Sequence, residues 1–285
     1  MSPIQQRLIP FVFVFIWSTG FIAARYGMPY AEPMTFLFLR FVGVLLIMVP
    51  LSLLFRVTWP PRRQIAHIAL AGTLLQAGYL GGVWAAVKLG MTASLAALIV
   101  GLQPIMTAWL AALVAEKVSR RQWFGLLAGL AGVGMVVMAK FSLIGLTISS
   151  LLLSVVALVS ITTGTLYQKR YCPGFDLRAG SVIQFSASAI VCLPFMFAFE
   201  TRVVDWQPPM IAALLWSIVA LSIGAISLLF MMIRDGAATK VTSYLYLTPP
   251  VTALMAWALF AEPITLTTLV GTAMTVVALW LVVRE

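Results

Sequence analysis

The sequence is poor in charged residues, in cysteine and in histidine. Only 9% of its 285 residues are charged, with 8 acidic side chains, 2 cysteines and 1 histidine. A soluble domain carries about 25% charged residues, so this composition excludes most soluble enzymes and disordered proteins. Two cysteines are too few for a disulfide framework, and there is no Cys/His cluster. The sequence therefore predicts neither a metal site nor a cofactor.

Apolar residues take the place of the missing charge. They make up 62% of the chain, and the mean hydropathy is +1.06. A membrane span needs about 20 apolar residues, and lipid offers no partner for an unpaired backbone group, so the spans should be helices. The sequence predicts an all-α membrane protein with ten transmembrane helices. They fall at residues 8–27, 34–55, 66–87, 94–115, 122–139, 145–167, 179–199, 211–233, 241–260 and 264–283.

The formal charge of +10 follows the membrane topology. Most of the basic residues fall on one side if the N-terminus is cytoplasmic, among them Arg62, Arg63, Arg120, Arg121 and Lys169. Cytoplasmic loops carry this excess, so both termini are predicted to lie inside a bacterial-type inner membrane. A nucleic-acid partner is excluded on the same ground. The first apolar stretch has no small-residue cleavage site and is expected to be a retained helix.

The two halves of the chain resemble each other. At one constant offset, Gly78, Gly90, Pro104, Glu116 and Gly125 align with Gly224, Gly236, Pro250, Glu262 and Gly271. The sequence therefore predicts two five-helix repeats, residues 1–143 and 144–285. Because five is odd, the second repeat should enter the membrane from the opposite side. Inverted repeats are typical of secondary transporters whose substrate site lies where the halves meet. A relic of duplication without a mechanistic role is the alternative.

Residues 86–137 carry a family resemblance, which residues 243–279 repeat. Each copy has a small-residue start to its fourth helix, a proline in the middle and a glutamate at the end. This pattern resembles the EamA family of the drug/metabolite transporter superfamily, and Trp17-Ser18 and Arg40-Phe41 fit it too. The resemblance implies a carrier of small organic metabolites. The expectation that the carrier moves them outward rests on the resemblance alone. The resemblance does not define the substrate.

Arg40 is the one charged residue that lies within a predicted span and away from the span ends. A guanidinium at this depth needs acceptors from carbonyls, water or an anionic substrate group. It is predicted either to bind a substrate carboxylate or phosphate, or to reach outward to backbone carbonyls. No acidic residue falls in the middle of a span. This disfavours carboxylate-based proton coupling, and it also disfavours a membrane hydrolase.

Other candidate residues are polar, aromatic or helix-breaking. Together with Arg40, the predicted substrate-binding residues are Trp17, Gln76, Tyr79, Gln103, Tyr167, Gln184 and Tyr244. Helix packing or the interfacial aromatic belt is the alternative for each of the uncharged ones. Mid-helix prolines free a backbone carbonyl, so Pro104, Pro249 and Pro250 are predicted hinges. Glu116 and Glu262 end equivalent helices and are either gates or helix-end anchors.

Together these features predict a secondary transporter that moves small organic metabolites, amino acids or similar, by alternating access. Arg40 favours a carboxylate, and the aromatic residues favour a side chain beside it. A membrane-embedded lipid enzyme is one alternative, although no catalytic constellation is apparent. A passive channel is the other, and the prolines in both copies speak against it. The expected partners are a small-molecule substrate and the lipid bilayer, with a monomer expected and a dimer compatible with the sequence.

Overall fold

The computed structural model describes residues 3–91, 96, 99–138, 147–260 and 264–283. Within these residues the secondary structure is helical, and the β-type contact is one isolated antiparallel bridge between Ala31 and Val204. The predicted all-α class is confirmed for this part of the chain.

We number the helices in chain order and give interrupted helices as consecutive stretches. They are α1 (Pro3–Gly27), α2 (Pro33–Leu54), α3 (Arg62–Gly72, Thr73–Gly78 and Tyr79–Lys88), α4 (Gln103–Trp109, followed by a 3₁₀ turn at Ala111–Val114), α5 (Arg120–Met138), α6 (Ile148–Tyr171), α7 (Leu177–Phe199), α8 (Pro208–Trp216, Ser217–Ala225 and Ile226–Asp235), α9 (Ala238–Ser243, a 3₁₀ turn at Tyr244–Leu247, and Thr248–Phe260) and α10 (Leu266–Val283).

Several helices have the length and composition of membrane spans. Among the described residues seven qualify, namely α2, α3, α5, α6, α7, α8 and α10, and α1 contains a shorter apolar stretch at Leu8–Ala24. Large apolar side chains also face outward, with Leu46, Trp109 and Ile148 between 72% and 80% exposed. A surface of this kind fits lipid. The chain is a multi-pass membrane protein, and the count of ten spans stays a prediction.

Local sequence signals fix several helix starts. Thr147 forms a capping box with Ser150, whose backbone N–H donates to Thr147 Oγ1 at 3.1 Å. Asp176 accepts a hydrogen bond from the backbone N–H of Arg178 at 2.8 Å and begins α7. Such caps satisfy N–H groups that have no partner within the helix.

The packing follows one pattern in both halves of the chain. Helix α2 packs on α7, and α5 packs on α10. Helix α1 packs on α8 and α9, and α6 packs on α3 and α4. If each helix is replaced by its counterpart five positions along the chain, α1 by α6 and so on, the same list of pairs results.

The closest pair, α5 and α10, meets through glycines. A Cβ atom on Gly132 would lie 2.8 Å from the carbonyl oxygen of Gly271, and one on Gly271 would lie 2.6 Å from that of Gly132. Small residues allow two membrane helices to approach at this distance. The glycine pair therefore holds the two halves together, backbone against backbone.

Four helices depart from regular α-geometry. The third helix of each half contains a π-helical stretch, Thr73–Gly78 in α3 and Ser217–Ala225 in α8. In α4 regular helix resumes at Gln103, directly before Pro104, after a turn at residues 101–102, and in α9 it resumes at Thr248, directly before Pro249 and Pro250. Proline has no N–H to donate and fits the first turn of a helix, which accounts for both boundaries.

Candidate functional site

A cavity of about 490 Å³ lies between the two halves of the chain. Its described lining comes from α1, α3, α4 and α5 in the first half and from α8 and α9 in the second, with single residues from α2 and α6. A volume of this size is typical of small-molecule sites. Most of the lining is apolar, and a few polar groups converge on it.

Five of the eight predicted substrate-binding residues line this cavity, together with two of the three predicted hinge prolines. They are Trp17, Arg40, Gln76, Tyr79 and Gln103, with Pro104 and Pro249. These residues come from α1, α2, α3, α4 and α9, so packing of separate helices brings them together.

Arg40 is buried, with 5% of its surface exposed. Its Nε donates a hydrogen bond to Ser222 Oγ of α8 at 2.7 Å, which joins the two halves. Neither ion pair found among the described residues, Lys88 with Glu32 and Arg178 with Asp176, involves this guanidinium. A charge withdrawn from water without a counter-ion is unfavourable, so an anion in the cavity would be stabilised beside Arg40.

Uncharged polar groups without a protein partner also line the cavity. Gln76 is fully buried in the π-helical stretch of α3, and neither its Nε2 nor its Oε1 has a hydrogen-bond partner among the residues that the structure describes. The same holds for Gln103 Oε1 and Thr248 Oγ1, while Gln103 Nε2 donates to Thr165 Oγ1 at 3.4 Å. Buried polar groups are nearly always paired, so these atoms are suited to bind a ligand.

Aromatic side chains supply flat apolar surface. Trp17 and Tyr79 are stacked, with ring centroids 6.2 Å apart and planes 8° apart. Trp84 lies against Phe36 at 5.0 Å. Tyr246 is buried, and its hydroxyl donates to the carbonyl oxygen of Leu126 at 3.0 Å.

Three predicted substrate-binding residues lie outside the cavity lining. Tyr167 Oη is 2.5 Å from Nδ1 of His67, whose ring is stacked on Tyr171. Gln184 Nε2 donates to Gln168 Oε1 at 3.0 Å. Tyr244 packs edge-on against Phe11, and its ring centroid is 6.2 Å away.

The structure adds contributors that the sequence prediction did not include. They are Ser222, Thr248 and Trp84. Tyr246, an aromatic residue that the sequence also places at span depth, lines the cavity, whereas Tyr244 does not. A signal for Ser222 exists, because the offset that relates Gly78 to Gly224 also relates Gln76 to Ser222. A signal for Thr248 is its place directly before the proline pair.

Glu116 joins the end of one half to a helix start in the other. Its carboxylate accepts hydrogen bonds from the backbone N–H groups of Ala238 at 2.6 Å and Thr239 at 3.3 Å, at the first turn of α9. A carboxylate at a helix N-terminus is stabilised by the helix dipole. Glu262, its equivalent in the second half, lies outside the described residues.

Two further carboxylates, Glu32 at the start of α2 and Glu200 at the end of α7, make similar contacts. Glu200 accepts hydrogen bonds from the backbone N–H groups of Met34 and Thr35, each at 2.7 Å, and so caps α2. Glu32 accepts from Lys88 and from Thr201. The hydrogen bond from Lys88, aided by Thr201, lowers the pKa of Glu32 from 4.5 to about 2. The hydrogen bond from the Arg178 side chain likewise lowers the pKa of Asp176.

Metal-ligand chemistry has no counterpart in the part of the chain that the structure describes. No group of three or more His, Cys, Asp or Glu side chains comes together there.

Comparison with known proteins gives one consistent picture. The model of the EamA-like transporter family matches residues 8–138 and again residues 148–284. The uncharacterized inner membrane transporter YedA of Escherichia coli strain K12 is 26% identical over 264 residues, which are 90% of this chain and 85% of the relative. The uncharacterized transporter YvbV of Bacillus subtilis strain 168 is 27% identical over 281 residues, covering 94% and 88%.

Two further matches bear on function and on fold. A probable amino-acid metabolite efflux pump of Salmonella typhimurium is 25% identical over 197 residues, 68% of this chain and 63% of the relative. One solved crystal structure superposes with a TM-score of 0.83 over 99% of this chain and 98% of its own, at 18% identity. The latter supports the fold alone.

Proposed function

Because the chain belongs to the EamA-like transporter family, we propose that it is a secondary transporter of small organic metabolites, amino acids or similar compounds, working by alternating access across the inner membrane. The observation that carries the proposal is the cavity shared by both halves, with one buried guanidinium and several unpaired polar groups. Carriers bind their cargo at the interface of two repeats.

The proposed architecture has ten spans in two inverted repeats, residues 1–143 and 144–285, with both termini in the cytoplasm. Three observations support it. The family model matches twice, the helix pairing is unchanged when the halves are exchanged, and basic residues accumulate on one side. An inverted repeat explains how one site can be opened to either face.

The proposed state of this structure is outward-open. The cavity lining reaches Met28, Val87 and Val137, at the C-terminal ends of α1, α3 and α5. Within α3 and α5 the lining begins only at Leu75 and Val133. With a cytoplasmic N-terminus, the ends that the cavity reaches lie at the outer face.

Contacts at the opposite end support a closed inner gate. Glu116 caps α9, and Lys169 Nζ donates to the carbonyl oxygen of Gly236 at 2.5 Å. Arg170 donates to the carbonyl oxygen of Leu113. We assign Glu116 to the inner gate, since opening inward would separate it from α9. Pro104, Pro249 and Pro250 are the proposed hinges, because the regular helix of α4 and of α9 resumes directly before these prolines.

The buried guanidinium of Arg40 supports a substrate that carries a carboxylate. One relative is named as a probable amino-acid metabolite efflux pump. Export is the proposed direction. The eight proposed substrate-binding residues form two groups, because Tyr167, Gln184 and Tyr244 lie outside the described lining and would act on it only through neighbouring side chains.

Counterflow in proteoliposomes tests the transport function. The purified chain is reconstituted, and the vesicles are loaded with unlabelled amino acids, N-acyl amino acids and 2-hydroxy acids. Uptake of each labelled compound is then followed. A carrier shows faster uptake when the same compound is inside, whereas a channel does not. Arg40→Gln should abolish the effect for carboxylates, and Arg63→Gln, a change in an exposed residue, should retain it.

Absence of trans-stimulation for every compound in this panel would overturn the proposal. Trans-stimulation of any one of them supports it, whatever the charge of that compound.

A further inference from the structure

The cavity holds a positive charge that has no counter-ion among the described residues. Arg40 is the only formally charged residue in its described lining. The acidic residues whose side chains the structure describes lie in loops or at helix ends, outside that lining. They are Glu32, Glu116, Asp176, Glu200 and Asp205. The cavity therefore has a net positive charge in its described part.

Most of the N–H donors of the Arg40 guanidinium are not used in hydrogen bonds to the protein. It carries five N–H groups, and the structure gives it one hydrogen bond, to Ser222. A carboxylate can accept two of the remaining N–H groups side by side. A monoanionic cargo would cancel the charge of Arg40 within the low dielectric of the membrane.

A zwitterionic cargo fits less well. Its carboxylate would neutralise Arg40, but its ammonium group would then leave the loaded cavity with a net positive charge. The described lining offers no carboxylate to receive that ammonium. Burial of an unpaired charge is strongly unfavourable, so the charge balance favours an anion over an amino acid of no net charge.

The uncharged polar groups define the rest of the cargo. Gln76 offers both a donor and an acceptor, and Gln103 Oε1 offers an acceptor. A neutral amide or hydroxyl group on the cargo would pair with them, and the stacked rings of Trp17 and Tyr79 would contact its apolar part. A charged group is not needed at that end.

We propose that the cargo is a carboxylic acid carried as a monoanion, with an uncharged amide or hydroxyl group and an apolar body, and that it crosses without a compensating ion. This inference rests on the proposed transport function. Each cycle then moves one negative charge across the membrane. The inside-negative potential of a cell drives such a cargo outward, which gives export an energy source although no acidic residue lines the described cavity.

Three compounds with one aromatic body test the charge preference. N-acetylphenylalanine is a monoanion at pH 7, phenylalanine is a zwitterion, and phenylethylamine is a cation. Binding to the purified full chain is measured by titration calorimetry. We expect N-acetylphenylalanine to bind at least tenfold more tightly than either of the others. Equal binding, tighter binding of phenylalanine, or no binding of the anion would overturn the proposal.

Variants at position 40 separate charge from fold. Arg40→Gln should reduce binding of N-acetylphenylalanine at least tenfold, while Arg40→Lys retains the preference for the anion. If Arg40→Gln does not fold, the order of the three binding affinities, measured on the unchanged chain and on Arg40→Lys, still tests the charge preference.

Movement of charge is tested in proteoliposomes with equal pH on both sides. A potassium gradient with valinomycin sets an inside-negative potential of about 100 mV, which corresponds to an about 50-fold concentration ratio for a monoanion. Labelled N-acetylphenylalanine, initially equal on both sides, should leave the vesicles, and reversal of the gradient should make it accumulate.

Two results would contradict the inference yet leave the transport function intact. One is counterflow of N-acetylphenylalanine that does not respond to the potential, as for an anion carried with a proton. The other is counterflow of phenylalanine but not of N-acetylphenylalanine.

Discussion

Arg40 of α2 donates a hydrogen bond from Nε to Ser222 Oγ of α8, at a distance of 2.7 Å, and so connects the two halves of the chain beside the cavity. Ser222 is the repeat equivalent of Gln76, which lines the cavity from α3. The same position of the third helix therefore orients the guanidinium in one half and offers an amide to the cavity in the other.

Ser222→Ala should remove the hydrogen bond that orients the Arg40 guanidinium. Loss of a hydrogen bond to a buried charged group is worth about 1.5–3 kcal/mol, so we expect a fall of about tenfold or more in apparent substrate affinity. The measurement is the KM of counterflow for a carboxylate substrate. Ser217→Ala is the matched control, because the Ser217 hydroxyl lies in the same π-helical stretch and has no partner. An equal effect of both variants would show that Ser222 does not act through Arg40.

Gln76→Leu should stabilise the protein and impair transport. Removal of two buried polar atoms that have no protein partner should raise the free energy of unfolding by about 1–3 kcal/mol. The readouts are the thermal midpoint in detergent and counterflow in vesicles. Gln168→Leu is the contrasting variant, since it leaves the Gln184 amide unpaired and should lower the thermal midpoint. A lower thermal midpoint for Gln76→Leu would contradict this account.

Gly132→Ala should loosen the contact between α5 and α10. The new Cβ would lie 2.8 Å from the Gly271 carbonyl oxygen, and the resulting backbone shift should destabilise the protein by about 1–3 kcal/mol. Gly134→Ala is the control on the same helix, because no heavy atom lies within 4 Å of its new Cβ. That variant should be neutral, or more stable by about 0.5–1 kcal/mol from helix propensity. The measurement is the thermal midpoint of the two variants in the same detergent, and equal midpoints would contradict the prediction.

Glu32 should make stability fall in acid. Its pKa is about 2 in the folded protein, against an ordinary value of 4.5. A lowered folded pKa means that the stabilisation is complete above 4.5 and is lost as the pH falls through about 2. Thermal midpoints measured between pH 5 and pH 2 should fall less steeply for Glu32→Gln than for the unchanged chain. The control is Asp205→Asn, which removes the same charge from a nearby loop but keeps the contact between Lys88 and Glu32. Parallel curves for Glu32→Gln and the unchanged chain would contradict the prediction.

The sequence was sufficient for the class of fold, because the membrane imposes apolar stretches, and five of the eight residues that it singles out line one cavity. It could not fix the rotation of each helix. Ile161 lines the cavity, and Tyr167, six residues further along α6, points about 120° away from it around the helix axis. Its ring meets His67 instead.

Helix rotation also separates the neighbouring residues Tyr244 and Tyr246, of which only Tyr246 is in the described lining. Both lie in a 3₁₀ turn, where positions two apart point in different directions, and only packing against α5 decides that Tyr246 faces the lining. Gln184 was predicted as a polar residue at span depth, but its side-chain N–H donates to Gln168 and it lies outside the described lining. Contacts between distant helices decided these cases, and a single sequence does not contain them.

The glycine contact between α5 and α10 also restricts how the halves can move. Two main chains that touch through Gly132 and Gly271 have no flexible side chains between them to absorb a sliding displacement. Rotation about the point of contact remains open, because it preserves the separation there while distances increase further away. In alternating access, the two halves would then rotate about the α5–α10 glycine contact, and the largest displacement would occur at the mouth of the cavity.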